Sequence, residues 1–391
     1  KFRHIFLSIV IGLVGFGTSS FYLPVENIQI RIFSHLKIQE LMVYAPTGAY
    51  RLMGDGNIIL NIKAGIDYRV TLRGDSMLLR ENEKKIGTFR YLKFIGENTT
   101  ELRVKLVNPE RKIRTYQHNL ALSPVDGNIR AINDILLDTY IAGVTEAEAG
   151  SRSTLEFYKV QVILARTFAL AHINKHVAEG FSLCDLVHCQ AYHGKPRDPN
   201  VYRAVEETKG KVVVDENLNL IVAAFHSNSG GQTANSEDVW GSRTSYLRSI
   251  VDTFSTRMPN STWERRMLAQ DWLSYLKLKH NFPVETDSGK NVALNFKQDS
   301  RKIFLECSTV RVPLKTVRQD LQLKSTFFTI TPLDSDTILF RGRGYGHGLG
   351  MCQEGAMCMA KSGYSYMDIL HFYYRNIQLI DLDKLGFFRD E

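Results

Sequence analysis

The sequence predicts an α+β protein, and three observations carry that prediction. Residues 26–130 are a mostly β N-terminal module, because short runs there alternate apolar and polar side chains between turn residues. From about residue 131 the pattern changes to apolar stretches of helical length mixed with further strand-like runs. At 391 residues, the chain is too long for one small core and fits two or three modules.

The elements can be justified in order. Lys1, Arg3 and His4 precede an uncharged stretch from Ile5 to Val25 whose apolar heart ends near Phe16. A positive start followed by about a dozen apolar residues is the pattern of a secretory signal or a single N-terminal anchor, so residues 1–25 are assigned to export. In the β module, Ile28–Ile32, Tyr68–Leu72 and Leu102–Leu106 alternate cleanly, Ile58–Ile62 does so in part, and Gly54-Asp55-Gly56 supplies a turn.

Residues 131–391 form the second, α+β domain. Ser153-Thr154-Leu155-Glu156 matches a capping box and starts a helix expected to run from Thr154 to about His176. Lys159 and Arg166, seven residues apart, share one stripe of this apolar helix. They need either an acidic partner, a polar cavity or a solvent face. Lys211–Val214 and Leu220–Phe225 read as strands, Met367–Tyr374 as a final helix, and about 263–340 as a small inserted α+β subdomain. No internal repeat or low-complexity tract is present.

Composition narrows the chemistry. The formal net charge of +8 favours anionic partners, and the absence of a basic cluster interleaved with aromatics argues against nucleic acid. The alternating glycines from Gly342 to Gly350 fit neither a dinucleotide fingerprint nor a phosphate loop. They predict a bare backbone approached closely by a ligand or by a neighbouring strand. No zinc-protease helix motif or Gly-x-Ser-x-Gly elbow occurs. Ser229, ahead of two glycines, leaves a serine nucleophile as a further reading, with no acid partner assignable to a nearby histidine.

The five cysteines are Cys184, Cys189, Cys307, Cys352 and Cys358, an odd number that is no disulfide scaffold. Cys352 and Cys358 bracket a helix start and are expected to face apart. The Cys184–Cys189 segment could hold zinc, form a disulfide or keep two free thiols. His176 stands upstream of it and His193 downstream.

Six separated segments share one order with a known family. They are Tyr140–Glu148, Lys159–Ala169, Cys189–Gly194, Ser227–Thr233 with Val239-Trp240-Gly241 and Tyr246-Leu247, Leu323–Phe328, and Gly344–Met351 with Gln353, Gly355 and Ala356. Over about residues 133–377 the chain resembles the sporulation-protein-D family of peptidoglycan-cleaving enzymes. The resemblance implies a lytic transglycosylase that cuts between N-acetylmuramic acid and N-acetylglucosamine in peptide-stripped glycan and leaves a 1,6-anhydro end. It maps the catalytic glutamate onto Glu148. The substrate groove it implies includes Gln190, Ser229, Tyr345 and His347, and Lys159, Arg166 and Tyr192 are taken as further substrate contacts. It also implies a structural zinc held by Cys184, Cys189 and an upstream histidine, for which His176 is the nearest candidate. No cofactor is required for the chemistry.

One carboxyl group suffices for this reaction. The sugar's own C6 hydroxyl attacks the anomeric carbon, whereas ordinary glycosidases need two carboxylates. Such a group must stay partly protonated near neutral pH, which calls for an apolar pocket. Ala149 stands where the family usually has methionine, so a looser pocket is expected. Glu146 lies two residues earlier, and on a strand the two carboxylates would point the same way. The competing reading from another class is a non-catalytic, glycan-binding enhancer of a cell-wall amidase. Expected partners are glycan strands, an amidase, and division or remodelling proteins, met on the exported, membrane-anchored or wall-facing side.

Overall fold

A computed structural model describes residues 27–96 and 100–382. The export segment assigned to residues 1–25 lies outside the described residues. Among the described residues, no helix is long and apolar enough to cross a membrane.

The α+β class holds, with a mostly β first third followed by mixed elements. Twelve strands come first: β1 (Asn27–Ile32), β2 (Glu40–Tyr44), β3 (Tyr50–Gly54), β4 (Asn57–Ile62), β5 (Asp67–Arg73), β6 (Ser76–Glu81), β7 (Lys84–Phe89), β8 (Leu92–Gly96), β9 (Glu101–Asn108), β10 (Arg114–Gln117), β11 (Asn119–Val125) and β12 (Asn128–Leu136). The period-two pattern is spent on one-sided burial: Ile28, Ile30 and Ile32 are buried while Asn27 and Gln29 are exposed. Strands β10-β9-β2-β5-β6-β7 form one sheet in that order. The other runs β1-β12-β11-β8-β3-β4 and gains β13 (Leu183–Cys184) as a parallel edge beside β1. Because β13 comes from the α+β part of the chain that follows the β module, both parts contribute to one continuous core.

Helices α1 (Leu137–Ala149) and α2 (Leu155–Ala171) follow β12 directly and pack on each other. Two expectations for α2 are corrected. The helix ends at Ala171, not near His176, and His172 caps it with its N–H on the Phe168 carbonyl. The cap is Thr154, whose hydroxyl accepts the Phe157 N–H, so no capping box forms at Ser153. Glu156 is instead ion-paired with Lys159 and accepts the Tyr366 N–H.

Helix α3 (Pro199–Glu207) leads into β14 (Lys211–Val214), which pairs antiparallel with the terminal strand β22 (Gln378–Asp381). The strand expected over 220–225 is reduced to a bridge between Leu220 and Val214 and to the two-residue β15 (Phe225–His226). Its backbone is engaged elsewhere, the Val222 N–H donating to the Tyr246 hydroxyl and the Ala224 carbonyl accepting from Tyr374 and Met351.

After α4 (Ser236–Trp240) comes a run with a core of its own: β16 (Thr262–Leu268), α5 (Ala269–His280), α6 (Asp287–Leu294), β17 (Phe304–Cys307), β18 (Val310–Pro313), α7 (Leu314–Asp320), β19 (Phe328–Pro332) and β20 (Thr337–Arg343). Trp272, Leu276, Phe328, Ile330 and Phe340 are among its buried residues. The chain then returns through β21 (Met351–Cys352), parallel to β15, into α8 (Gln353–Lys361) and α9 (Tyr366–Tyr373).

The alternating glycines are resolved in favour of protein, not ligand, as the approaching object. A Cβ on Gly344 would lie 2.6 Å from the Asn228 carbonyl oxygen, and one on Gly350 2.0 Å from that of Ala224. Both also have positive φ, +77° and +63°, so each position needs glycine twice over. The segment therefore lies directly against 224–230, joined by the Asn228–Tyr345 bridge.

Candidate functional site

Glu148 lies in the last turn of α1, not on a strand and not ahead of a helix. Helical geometry turns Glu146 and Glu148 about 200° apart, so the expectation that they point the same way fails. Glu146 accepts the backbone N–H groups of Arg197 and Asp198 at 2.8–3.0 Å, where Asp198 caps α3. It is thereby committed to anchoring the start of α3.

Glu148 is placed differently. Its Oε1 accepts the Ala191 N–H at 2.8 Å, and Oε2 has no protein partner among the described hydrogen bonds. No cation is ion-paired with it among the described residues. Burial drives its carboxyl pKa above the ordinary value, and the Ala191 N–H only partly opposes this. Gln353, the first residue of α8, donates its side-chain N–H to the Glu148 carbonyl at 3.1 Å and to Gln161 Oε1 at 3.4 Å. Gln161 is fully buried, and its own Nε2 has no partner among the described residues. Helices α1, α2 and α8 thus meet at the C-terminal end of α1, beside Glu148.

Just before Ala191, His176, Cys184, His188 and Cys189 bring one ligand atom each within 4.8 Å of one another. Zinc–sulfur and zinc–nitrogen bonds in a tetrahedron put sulfur and nitrogen about 3.5 Å apart. Cys184 Sγ is 3.3 Å from His188 Nε2, and Cys189 Sγ is 3.4 Å from His176 Nε2. The His176 Nδ1 lies 2.5 Å from Glu179 Oε1, the orienting carboxylate that metal-bound histidines commonly have. The donor set and spacing fit zinc. All five cysteines are free thiols, so of the options for Cys184 and Cys189 the disulfide does not form. His193 is outside the cluster. His188 was not in the expected ligand set, although it lies between the two cysteines. Asp185 fastens this loop to the end of β1, accepting from the Phe33 and Ser34 N–H groups and pairing with Arg114.

The other residues expected at the site divide by exposure. Arg166 is 2% exposed, pairs with Asp138 on α1 and donates to the Thr208 and Lys211 carbonyls. Lys159 pairs with Glu156 and with Glu207 of α3. The charged stripe of α2 therefore has acidic partners, and its two cations tie α1, α3 and β14 together. Gln190 is buried between the Tyr140 hydroxyl and the Ala165 carbonyl, and Tyr192 donates to Asn133. Ser229 is fully buried, with its hydroxyl bonded to Asp252 and Ser255 and to no histidine. That is no setting for an accessible nucleophile. Tyr345 is 44% exposed beneath the Lys324 ammonium group, and His347 is half-buried beside Trp240. The structure groups Glu148, Gln161, Ala191 and Gln353 in one place, and Tyr345, His347 and Trp240 further along the glycine-rich segment.

The family expected from the ordered motifs is the one found: residues 125–214 match the model described as Stage II sporulation protein, SpoIID. The chain is similar to an uncharacterized protein of Brachyspira hyodysenteriae, 28% identical over 69% of this chain and 74% of that protein. It is 31% identical to the amidase enhancer of Bacillus subtilis over 60% of this chain, spanning only 39% of that protein's length. It is 28% identical to the stage II sporulation protein D of Bacillus subtilis over 65% of this chain and 77% of that protein.

Proposed function

We propose that this chain, matched to the SpoIID family over residues 125–214, acts on the cell wall as an exported peptidoglycan lytic transglycosylase with Glu148 as its single general acid/base. The observation that carries this reading is the state of that carboxyl group. It is desolvated, without an ion-paired cation among the described residues, and fixed through Oε1 by the Ala191 N–H, so Oε2 is the oxygen able to carry a proton.

The reaction closes on this one group. Oε2 gives its proton to the glycosidic oxygen as the bond from the muramic C1 to that oxygen breaks. The C6 hydroxyl of the same muramic residue forms the new bond to C1 and releases its proton to the Glu148 carboxylate. The products are a 1,6-anhydro-muramic end and a free sugar hydroxyl, and the enzyme regains its starting protonation. Gln353, on the Glu148 carbonyl, and Gln161 behind it fix the end of α1.

His176, Cys184, His188 and Cys189 would hold a zinc ion, whose contribution when bound is structural, closing the loop that precedes Ala191. The chain's own part is to deliver the Ala191 N–H from that loop to Oε1.

The amidase enhancer among the relatives supports a second reading, in which the chain binds wall glycan and stimulates an amidase partner. Digestion of purified peptidoglycan separates the two. Anhydro-muramic products that depend on Glu148 support the enzyme. Products that arise only with an added amidase, and persist in Glu148→Gln, support the enhancer.

A further inference from the structure

Between α4, α7 and the glycine-rich segment lies a cleft of about 230 Å³. That is below the roughly 300–1,000 Å³ of pockets for drug-sized ligands, so it suits one ring-sized unit. Trp240, 44% exposed at the end of α4, and His347 form one wall, their ring centroids 6.3 Å apart. The lining is also cationic. Lys315 and Arg318 come from one face of α7, Lys315 donating to the Val239 carbonyl, and Arg301 and Lys302 join them. Asp238 is the one lining carboxylate, and it accepts from Asn235.

The cations are unbalanced. Arg301 spends its guanidinium on the Gln232 and Ser229 carbonyls and the Thr326 hydroxyl, all neutral acceptors. Arg318 is half-buried, and its one protein acceptor among the described hydrogen bonds is the Lys324 carbonyl, 3.3 Å from Nε. Neither guanidinium is ion-paired with a carboxylate among the described residues. A desolvated cation without a counter-charge is costly unless something anionic completes it. The exposed indole of Trp240 in the same cleft offers a flat apolar surface of the kind a sugar ring covers. Five residues separate His347 from Gln353, which touches the Glu148 backbone carbonyl, so no more than about 20 Å of chain joins the cleft to that contact.

We propose that this cleft is a subsite for one carboxylate-bearing sugar of the glycan strand, stacking its ring on Trp240 and pairing its carboxylate with Arg318. This rests on the reading of the protein as glycan-cleaving. In a muramic residue the carboxylate is that of the lactyl ether, which is negative only when no peptide is attached. Recognition here therefore selects stripped strands by charge, not by the lesser bulk of the ligand.

The test uses the full chain carrying Glu148→Gln, which binds without consuming substrate. Calorimetric titration compares an alternating N-acetylglucosamine–N-acetylmuramic tetrasaccharide, the same sugar with its lactyl groups converted to methylamides, and a neutral N-acetylglucosamine tetramer. A charge-assisted pair predicts about tenfold to a hundredfold tighter binding of the free acid than of the amide. Arg318→Gln should abolish that preference, Arg318→Lys should keep much of it, and Trp240→Ala should weaken acid and amide alike by at least about fivefold. Thermal melts establish that each variant is folded.

Equal affinity for acid and amide, or a preference that survives Arg318→Gln, overturns the proposal. So does a glycerol-phosphate polymer that binds more tightly than the tetrasaccharide, which would assign the cleft to wall phosphates. Failure of the enzyme reading looks different: the acid preference stands, and the wild-type chain makes no anhydro ends. Anhydro ends without an acid preference sink only the subsite.

Discussion

The N–H of Ala191 donates to Oε1 of Glu148 at 2.8 Å, and this bond joins the two halves of the candidate site. Ala191 follows Cys189 by two residues, so the position of the carboxyl group depends on how the cysteine–histidine loop is held. Glu148 itself extends from the last turn of α1, where helix carbonyls add negative potential. The chemistry and the loop are therefore linked through one backbone donor.

The first prediction concerns stability and pH. Burial raises the Glu148 carboxyl pKa in the folded protein above its unfolded value. Its protonation thus favours folding fully below the unfolded pKa, and that contribution is lost as pH rises through the raised folded pKa. Glu148→Gln keeps an acceptor for Ala191 and removes the ionisation. The variant should melt at or above the wild type at pH 7, with the advantage vanishing toward pH 4. A variant markedly less stable than wild type at pH 7 would contradict the desolvated carboxyl.

Activity should follow the same group in the same direction. The acid form starts the reaction, so the rate should fall on the alkaline side as the raised carboxyl pKa is passed. A pH–rate profile whose alkaline limb is unchanged when Gln161 is replaced by Leu would argue that the packing behind Gln353 does not tune Glu148.

The cysteine–histidine cluster predicts one zinc per chain by elemental analysis of protein purified without chelator. Cys184→Ser and Cys189→Ser should each lose it and lower the melting temperature. Cys358→Ser, at a half-buried position outside the cluster, should retain it. Wild-type protein free of zinc after refolding with the metal would contradict the assignment.

Arg166 should behave as a structural residue. Removing the Arg166 guanidinium leaves the half-exposed Asp138 without its partner and takes a buried donor from the Thr208 and Lys211 carbonyls, at a cost of about 1–3 kcal/mol. Arg166→Gln should therefore unfold at lower denaturant concentration, with KM for glycan unchanged in the folded fraction. A rise in KM with unaltered stability would return Arg166 to the binding groove.

Much of this was legible in the sequence because local pattern fixed it. The period-two runs gave the strands, and the ordered motifs pointed to the family. The misreadings have a common physical origin in tertiary partners. Nothing local shows that Thr154 caps α2 while Glu156 serves Lys159 and Tyr366, or that the backbone of 220–225 is claimed by the Tyr246 and Tyr374 hydroxyls and a returning strand. Ala191 acts through its backbone, so its side chain carries no signal. His188 could have been found: a third soft donor between two cysteines is a local pattern. Buried Ser229, Gln190 and Tyr192 show the opposite hazard, since family motifs mark packing residues as readily as groove residues.

The central claim is tested most directly by mass spectrometry of glycan products after purified, peptide-stripped peptidoglycan is digested with the chain alone. The account predicts 1,6-anhydro-muramic ends with wild type and, because general acid–base catalysis contributes about 10²–10⁴-fold, at least a hundredfold fewer with Glu148→Gln. Anhydro ends at undiminished yield from Glu148→Gln, or none from the folded wild type, would contradict it.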